Sequence, residues 1–189
     1  MTNNKTIIYR EYYEGNKEKR FLLGTKGKKT LLVIGLNPSV ADRETNDLTI
    51  KKVSTFAERN SFDSFIMLNL YAQRTTYPNH LHQELDIQLH NENLKHVLQI
   101  VSIKDNVSIL AAWGEKIIIR NYFPLCLQSI YEAIGKSKFE WFKIGEKSTN
   151  SGHPRHPSRM SYSNALTPFD ITTYIKWITD KNASKQQIK

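Results

Sequence analysis

Two short polar loops, far apart in the chain, hold the residue types best suited to chemistry. The first is Gly35-Leu36-Asn37-Pro38-Ser39, and the second is Gly152-His153-Pro154-Arg155-His156-Pro157-Ser158-Arg159. Each follows an apolar run that is typical of a buried strand, and each places a polar side chain beside a proline. In open α/β sheets, ligands bind at the carboxyl ends of the strands. We therefore expect the two loops to form two walls of one site.

The asparagine of the first loop can orient a nucleophile. The side-chain oxygen of Asn37 can hold a water molecule by a hydrogen bond, although an amide is too weak a base to deprotonate that water fully. An Asn-Pro pair is also a common start of a turn, which is the alternative, structural role. Ser39 suits a turn or helix cap better than a nucleophile, because no Gly-x-Ser-x-Gly sequence surrounds it.

The histidines of the second loop are candidates for stabilising charge. Either His153 or His156 can donate a hydrogen bond to an oxygen that gains negative charge. Their spacing would also suit a metal ion, with His80 and His82 as further ligands, but no cluster of acidic ligands accompanies them. We therefore expect neither a metal nor another cofactor.

The surplus of basic residues favours a polyanionic partner. Lys and Arg number 27 against 18 Asp and Glu, which gives a formal net charge of +9 at pH 7. Binding to such a partner would depend on salt concentration. Arg155 and Arg159 could contact phosphate. The alternative is an ordinary lysine-rich surface in solvent, which would produce the same net charge without nucleic acid.

Asparagine and tryptophan mark the ends of two further apolar runs. Asn69 interrupts the run over residues 67–71, and a buried amide without a partner costs about 1–3 kcal/mol. Asn69 therefore either bonds local backbone or reads the edge of a base with its adjacent donor and acceptor. Trp113 should pack in the core, with its indole nitrogen hydrogen-bonded nearby.

Apolar periodicity predicts the elements that must position these residues. Continuous apolar runs predict four strands buried on both faces, at residues 31–36, 65–70, 107–112 and 139–144. Helical spacing lies between and after them, through Ile50, Val53, Phe56 and Ala57, then over residues 91–103, 115–134 and 170–178. The alternation predicts a three-layer α/β/α fold around a central, mostly parallel four-stranded sheet.

Several finer features complete the predicted fold. Residues 6–13 and 19–23 are rich in β-formers and flank Glu14-Gly15-Asn16, which predicts an N-terminal β-hairpin. Asn46 or Asp47 can cap the first helix, and Asp170 lies near the start of the last. Pro124 should break or kink the helix predicted over residues 115–134.

Length and composition are those of one globular domain without membrane contact. At 189 residues, we expect a single domain, residues 1–189, with flexible tails at residues 1–5 and 181–189. The single cysteine, Cys126, allows no intramolecular disulfide and no cysteine-held metal cluster. No apolar run could span a bilayer, and residues 1–5 lack the apolar region of a signal peptide. We expect a cytoplasmic monomer.

The ordered motifs resemble those of the uracil-DNA glycosylase superfamily over about residues 31–161. Gly35-Leu36-Asn37-Pro38-Ser39 is similar to its G-x-D/N-P motif, and Leu68-Asn69 to its strand ending in a base-reading asparagine. Ala112-Trp113-Gly114 is similar to its L-W-G strand end. His156-Pro157-Ser158-Arg159-Met160-Ser161 is similar to its H-P-S-P-L-S loop.

The resemblance implies a role for each matching residue. Asn37 would hold the attacking water, Asn69 would read the base, and His156 would stabilise the departing base. Met160 stands at the position of the leucine that wedges into the duplex. The doubled His-Pro sequence leaves His153 as the alternative histidine.

The chain departs from the pattern at Arg159, which replaces the second proline of the loop, and at Met160, which replaces the leucine. Ser39 and Tyr71 are the further candidates for contacts to the base, and Tyr71 is the candidate for stacking on it. Arg155 and Ser158 join Arg159 and Met160 as candidate contacts to DNA.

A second resemblance covers more of the same motifs. A bacterial and phage domain family of unknown function has G-L-N-P-S, then A-D and D-x-T, then G-H-P-R-H-P. Here these motifs are Gly35-Leu36-Asn37-Pro38-Ser39, Ala41-Asp42, Asp47-Leu48-Thr49 and Gly152-His153-Pro154-Arg155-His156-Pro157. The chain therefore resembles that family more closely still.

Taken together, the resemblance and the charge predict a DNA glycosylase-like hydrolase that needs no cofactor. It would cleave the N-glycosidic bond of a flipped base, damaged or modified, in single- or double-stranded DNA. Asp42 and Asp47 could orient Asn37 or cap a helix. Two alternatives remain. One is an enzyme of the same fold that acts on a free nucleoside, nucleotide or nucleobase, and the other is a non-catalytic binder of modified DNA.

Overall fold

A mixed β-sheet lies at the centre of the protein. The computed structural model describes residues 11–39, 48–103, 107–135 and 139–186. Within these residues, seven strands form one sheet in the order β1-β2-β4-β3-β5-β6-β7. The strands are β1 Tyr12–Gly15, β2 Arg20–Gly24, β3 Thr30–Gly35, β4 Ser64–Asn69, β5 Ser108–Ala111, β6 Glu140–Ile144 and β7 Leu166–Pro168.

The four predicted strands are present, but the predicted four-stranded sheet is wrong. They correspond to β3, β4, β5 and β6, which pair in parallel with one another. The sheet is extended by antiparallel pairing of β2 with β4, of β1 with β2, and of β7 with β6. The sequence does not predict these added strands. Strand β7 is only three residues long and ends in proline, and the local pattern of a hairpin does not show that it joins a larger sheet.

Helices cover both faces of the sheet, as the three-layer prediction requires. Side chains alternate along β3, so that Leu31 and Val33 join the core on one face while Leu32 and Ile34 join the core on the other. Helix α1, Leu48–Arg59, buries the four predicted apolar positions against the first face. Helices α2 Ile87–Ser102, α3 Tyr122–Ile134 and α4 Ile171–Gln186 contribute to the second.

The helix boundaries differ from prediction where local capping decides them. Helix α2 begins early because the Asp86 side chain accepts a hydrogen bond from the Leu89 N–H at 2.9 Å. Residues Glu115–Ile118 form a 3₁₀ turn, and α3 then begins with Pro124 in its first turn. Proline is tolerated there because those N–H groups have no partner within a helix. The helix predicted over residues 115–134 is thus broken just before Pro124, as predicted.

The two ends of the chain also differ from expectation. Helix α4 continues to Gln186, so the tail predicted from residue 181 is helical over residues 181–186. At its start, Asp170 accepts from the Thr173 N–H at 3.0 Å, as its predicted place near the cap requires. The predicted caps Asn46 and Asp47, and residues 6–10 of the hairpin, lie outside the described residues.

Strand order creates a crevice beside β3. The chain crosses from β3 to β4 on one side, and β5 lies on the other side of β3. The loops after β3 and β5 therefore diverge, and such a switch point is where open α/β sheets bind ligands. Strand β2 runs antiparallel to β4, so its first residue, Arg20, lies at the carboxyl end of β4. The Arg20 N–H donates to the Ala72 carbonyl at 3.0 Å.

Candidate functional site

Two adjoining cavities lie at the carboxyl ends of the parallel strands. The inner cavity, about 180 Å³, is lined among others by Arg20, Gly35, Asn37, Ser39, Thr49 and Thr75. The outer trench, about 670 Å³, is lined among others by Gly114, Glu115, Thr149, Arg155, Ser158 and Arg159. Trp113, Lys116 and His156 line both, so the two cavities adjoin, and together they are called the cleft. The cleft joins the two loops that the sequence singles out.

Asn37 enters the inner cavity with its amide orientation set by the backbone. Its Nδ2 donates to the carbonyl oxygens of Thr75 at 2.8 Å, Pro38 at 3.1 Å and Gln73 at 3.3 Å. No described residue donates to its Oδ1, which is the acceptor end of the amide. The loops after β3 and β4 thus hold an acceptor in place at the cavity.

His156 lies in the cleft with its donor nitrogen defined by a local hydrogen bond. Its Nδ1 accepts from the Ser158 N–H at 3.3 Å and lies 2.8 Å from the Ser158 hydroxyl. A ring nitrogen that accepts an N–H carries no proton, so the proton of the neutral ring is on Nε2. His156 can therefore act as a hydrogen-bond donor through Nε2.

The end of β5 packs directly on the His156 backbone. Gly114 has a φ of +69°, a region that favours glycine. A Cβ at position 114 would lie 3.0 Å from the Cβ of His156. The preceding residue, Trp113, is buried as predicted, and its Nε1 donates to the Tyr174 hydroxyl at 3.1 Å. The Trp-Gly pair therefore sets how closely His156 approaches the sheet.

Asn69 is a buried amide beside the inner cavity. It is fully buried, and neither polar atom of its side chain has a hydrogen-bond partner among the described residues. An idealised Cβ at the neighbouring Gly35 would lie 3.0 Å from Asn69 Oδ1 and 2.4 Å from Met67 Cε. Glycine at position 35 thus leaves room for the amide, whose unmet polar groups cost about 1–3 kcal/mol.

Basic side chains dominate the cleft. Arg20, 2% exposed, and Lys116 line the inner cavity, whose lining includes no Asp or Glu among the described residues. Arg155 and Arg159 line the outer trench with one acid, Glu115. Hydrogen bonds from Ser151 and Thr149 lower the pKa of Glu115, so this carboxylate stays ionised. Among the described lining residues, the balance of charge is therefore positive.

His153 does not line the cleft. It is fully buried, and its Nδ1 lies 2.8 Å from the hydroxyl of Tyr174, while its ring contacts Trp177 at a centroid distance of 5.2 Å. The Tyr174 hydroxyl accepts from Trp113, and burial raises its pKa, so it remains protonated and can donate to His153. These contacts attach the second loop to α4 and leave His156 as the histidine of the cleft.

Tyr71 and Met160 are also placed in the core. Tyr71 is fully buried, packs on Tyr122, and has its hydroxyl 2.7 Å from His82 Nδ1, in the cluster on the opposite face of the sheet from α1. Met160 is 8% exposed and packs in the cluster beneath α1. Tyr71 therefore does not line the cleft as a stacking surface, and Met160 does not project as a wedge.

Other residues of the site carry no clear signal in the sequence. Arg20 precedes Phe21-Leu22-Leu23, a setting typical of an exposed strand end. Thr75 contributes a carbonyl and reaches Asn37 only through the fold. Lys116 follows Trp113-Gly114, where the motif could have drawn attention to it. Among the described residues, no group of three His, Cys, Asp or Glu side chains is arranged to hold a metal ion.

The fold and the cleft together define a class of protein. This is a mixed α/β protein with a basic cleft at the switch point of its parallel strands, and none of its described helices is long and apolar enough to cross a membrane. The chain belongs to a family described as "Protein of unknown function (DUF1643)", whose sequence model matches residues 20–158. Neither a curated protein nor a solved structure matches it.

Proposed function

We propose that this protein is a DNA glycosylase-like hydrolase that breaks the N-glycosidic bond of a flipped, damaged or modified base. The observation that carries the proposal is the pairing of Asn37 and His156 in the lining of one cavity. The first offers an oriented acceptor and the second a defined donor. The motifs that resemble the uracil-DNA glycosylase superfamily include both residues.

The two side chains suit the two reacting groups, the attacking water and the leaving base. Asn37 Oδ1 would accept a hydrogen bond from a water molecule and hold it against C1′ of the sugar. The water oxygen forms a bond to C1′ as the bond from C1′ to the base nitrogen breaks. The electron pair of that bond leaves with the base, and the proton lost by the water ends on the base or in solvent.

His156 would act on the leaving base. Its Nε2–H would donate to a base oxygen that gains negative charge as the bond breaks. Removing one such donor typically lowers the rate by about 10²–10³-fold. Asn69 lies beside the cavity with its amide unpaired among the described residues, which suits recognition of a base edge after local movement.

The charge of the cleft supports a nucleotide substrate. A base within a duplex has to be unstacked before it reaches such a cavity, at a cost of a few kcal/mol. Lys116, Arg155 and Arg159 line the cleft and would offset this cost by contacts to phosphates. Two residues have no direct part in the proposed reaction, because both are buried away from the cleft: Met160 and His153.

The test is release of bases from oligonucleotides that each carry one damaged or modified base. Abasic sites are detected by alkaline strand cleavage, in single- and double-stranded DNA. We expect release by the wild type, a loss of about 10²–10³-fold in His156→Gln, and a comparable loss in Asn37→Ala. His80→Ala, at an exposed histidine outside the cleft lining, should retain full activity.

Circular dichroism of each variant separates loss of activity from loss of fold, because Asn37 also bonds three carbonyls. Absence of abasic sites with every modified base contradicts the proposal. Hydrolysis of free nucleosides or nucleotides alone would identify the first alternative. Tight binding to modified DNA without release, unchanged in His156→Gln, would identify the non-catalytic binder.

A further inference from the structure

The inner cavity has the lining of an oxyanion site. Besides Asn37, it is lined by the hydroxyl residues Ser39, Thr49, Thr75 and Thr76. Two cations, Arg20 and Lys116, share this lining, and no carboxylate does among the described residues. Apart from the Asn37 acceptor, the lining combines hydroxyl groups with two positive charges. Such a set suits the oxygen atoms of an anionic group.

Arg20 is the most buried charge in the cavity. It is 2% exposed, and a guanidinium keeps its proton in proteins, so its positive charge stays in the protein interior. The planar fork of arginine matches the oxygens of a phosphate group. Its position results from antiparallel pairing of β2 beside β4, which brings the start of β2 to the carboxyl end of β4.

The first turn of α1 faces the same cavity. Thr49 and Ile50 belong to this turn and line the cavity, and the helix continues to Arg59. The first turn itself contains no acidic side chain. The helix dipole favours an anion at such a position. This contribution adds to that of Arg20 and Lys116 from other elements.

We propose that the inner cavity binds a phosphate group of the substrate nucleotide, with Arg20 and Lys116 as its cationic ligands. The inference rests on the proposed function for the identity of the rest of the substrate. With a phosphate at Arg20 and Lys116, the sugar would lie beside Asn37 and the base beside His156, which line the same cavity. The phosphate is that of a free nucleotide or of a flipped nucleotide in DNA.

The test measures binding of phosphate directly, without turnover. Isothermal titration calorimetry compares inorganic phosphate, deoxynucleoside 5′-monophosphates and the matching deoxynucleosides. Short oligonucleotides with and without a 5′-terminal phosphate then distinguish a terminal from an internal phosphate as the source. We expect the wild type to bind monophosphates at least tenfold more tightly than nucleosides.

Variants at the cations decide whether the inner cavity is responsible. Arg20→Gln and Lys116→Gln should each reduce affinity for the monophosphate about tenfold or more and leave nucleoside affinity unchanged. Because Arg20 is buried, Lys116→Gln, at an exposed residue, keeps the test valid if Arg20→Gln does not fold. Lys95→Gln, an exposed change on α2 outside the cleft lining, is the matched control.

The outcomes separate this inference from the proposed function. Equal affinity for nucleoside and monophosphate in the wild type overturns the phosphate site, even if bases are released from DNA. A preference for the monophosphate that survives in Lys116→Gln and in Arg20→Gln overturns it as well, and so does survival in Lys116→Gln alone if Arg20→Gln does not fold. Phosphate binding that depends on these residues, without base release, supports the site while contradicting the glycosylase reaction.

Discussion

Gly114 is the residue whose replacement should most directly displace His156. An added Cβ would meet the His156 Cβ at 3.0 Å, and the positive φ of +69° disfavours any side chain. Backbone strain of this kind costs about 1–3 kcal/mol. We expect Gly114→Ala to lower the free energy of unfolding by about that amount and to lower activity at temperatures where the variant is folded.

A glycine outside the cleft provides the comparison for that variant. Gly135, at the end of α3, has a φ of +91° and does not line either cavity. Gly135→Ala should cause similar strain without moving His156. Chemical denaturation measures stability, and initial rates of base release in the proposed oligonucleotide assay measure activity. Equal activity of the two variants would show that Gly114 does not control the position of His156.

Asn37 shows why a side chain of the right type needs its surroundings. Its Nδ2 is bonded to three backbone carbonyls from two loops, so the amide cannot rotate without losing them. Asparagine, unlike aspartate, has the donor that these carbonyls require. The Asn-Pro turn was apparent in the sequence, but the partners that orient the amide come from residues 73 and 75, which follow the next strand of the sheet.

At the scale of elements, helix α1 holds the segment that follows His156. Lys52 donates to the Met160 carbonyl at 2.5 Å, and its Nζ lies 4.0 Å from the ring centroid of Tyr162. Arg59 donates to the Tyr162 carbonyl at 2.7 Å. A cation over an aromatic ring adds about 0.5–2 kcal/mol to such an attachment. These contacts attach the segment after His156 to α1.

Removing the lysine contact should loosen this loop. We expect Lys52→Met to accelerate amide hydrogen exchange over residues 156–162 about tenfold or more, because a hydrogen bond from a charged group contributes about 1.5–3 kcal/mol. Mass spectrometry of peptic fragments measures the exchange. Lys51→Met removes an exposed charge from the same helix and should leave exchange unchanged. Identical exchange in both variants would mean that α1 does not hold the loop.

At the scale of the whole molecule, the basic balance should determine how binding responds to salt. The formal net charge is +9, and Arg159 is an exposed member of the outer trench. Each phosphate neutralised on duplex DNA contributes about −0.9 to the slope of log affinity against log salt. We expect Arg159→Gln to reduce the magnitude of this slope by about 1.

Fluorescence anisotropy of a labelled duplex at several salt concentrations measures the slope. Lys95→Gln removes the same charge from an exposed position on α2 and should leave the slope nearly unchanged. An equal reduction in both variants would indicate that net charge, rather than the outer trench, attracts the DNA. No change in either would remove Arg159 from the binding surface.

The elements of the core could be predicted because their patterns are local. Strands buried on both faces need continuous apolar runs, and α1 needs apolar residues at helical spacing, which Ile50, Val53, Phe56 and Ala57 provide. The full sheet could not be predicted in the same way. The pairing of β2 with β4 and of β7 with β6 joins segments distant in the sequence, and short edge strands carry little pattern.

In the candidate site, too, some features follow from local sequence and others only from long-range packing. The sequence by itself determined the two polar loops at strand ends, since proline, glycine and the preceding apolar runs act locally on the backbone. The tertiary structure decided between the histidines, placing His156 in the cleft and His153 against Tyr174. It also buried Met160 and brought Arg20 to the inner cavity. These choices depend on long-range packing, which the local pattern around a residue does not specify.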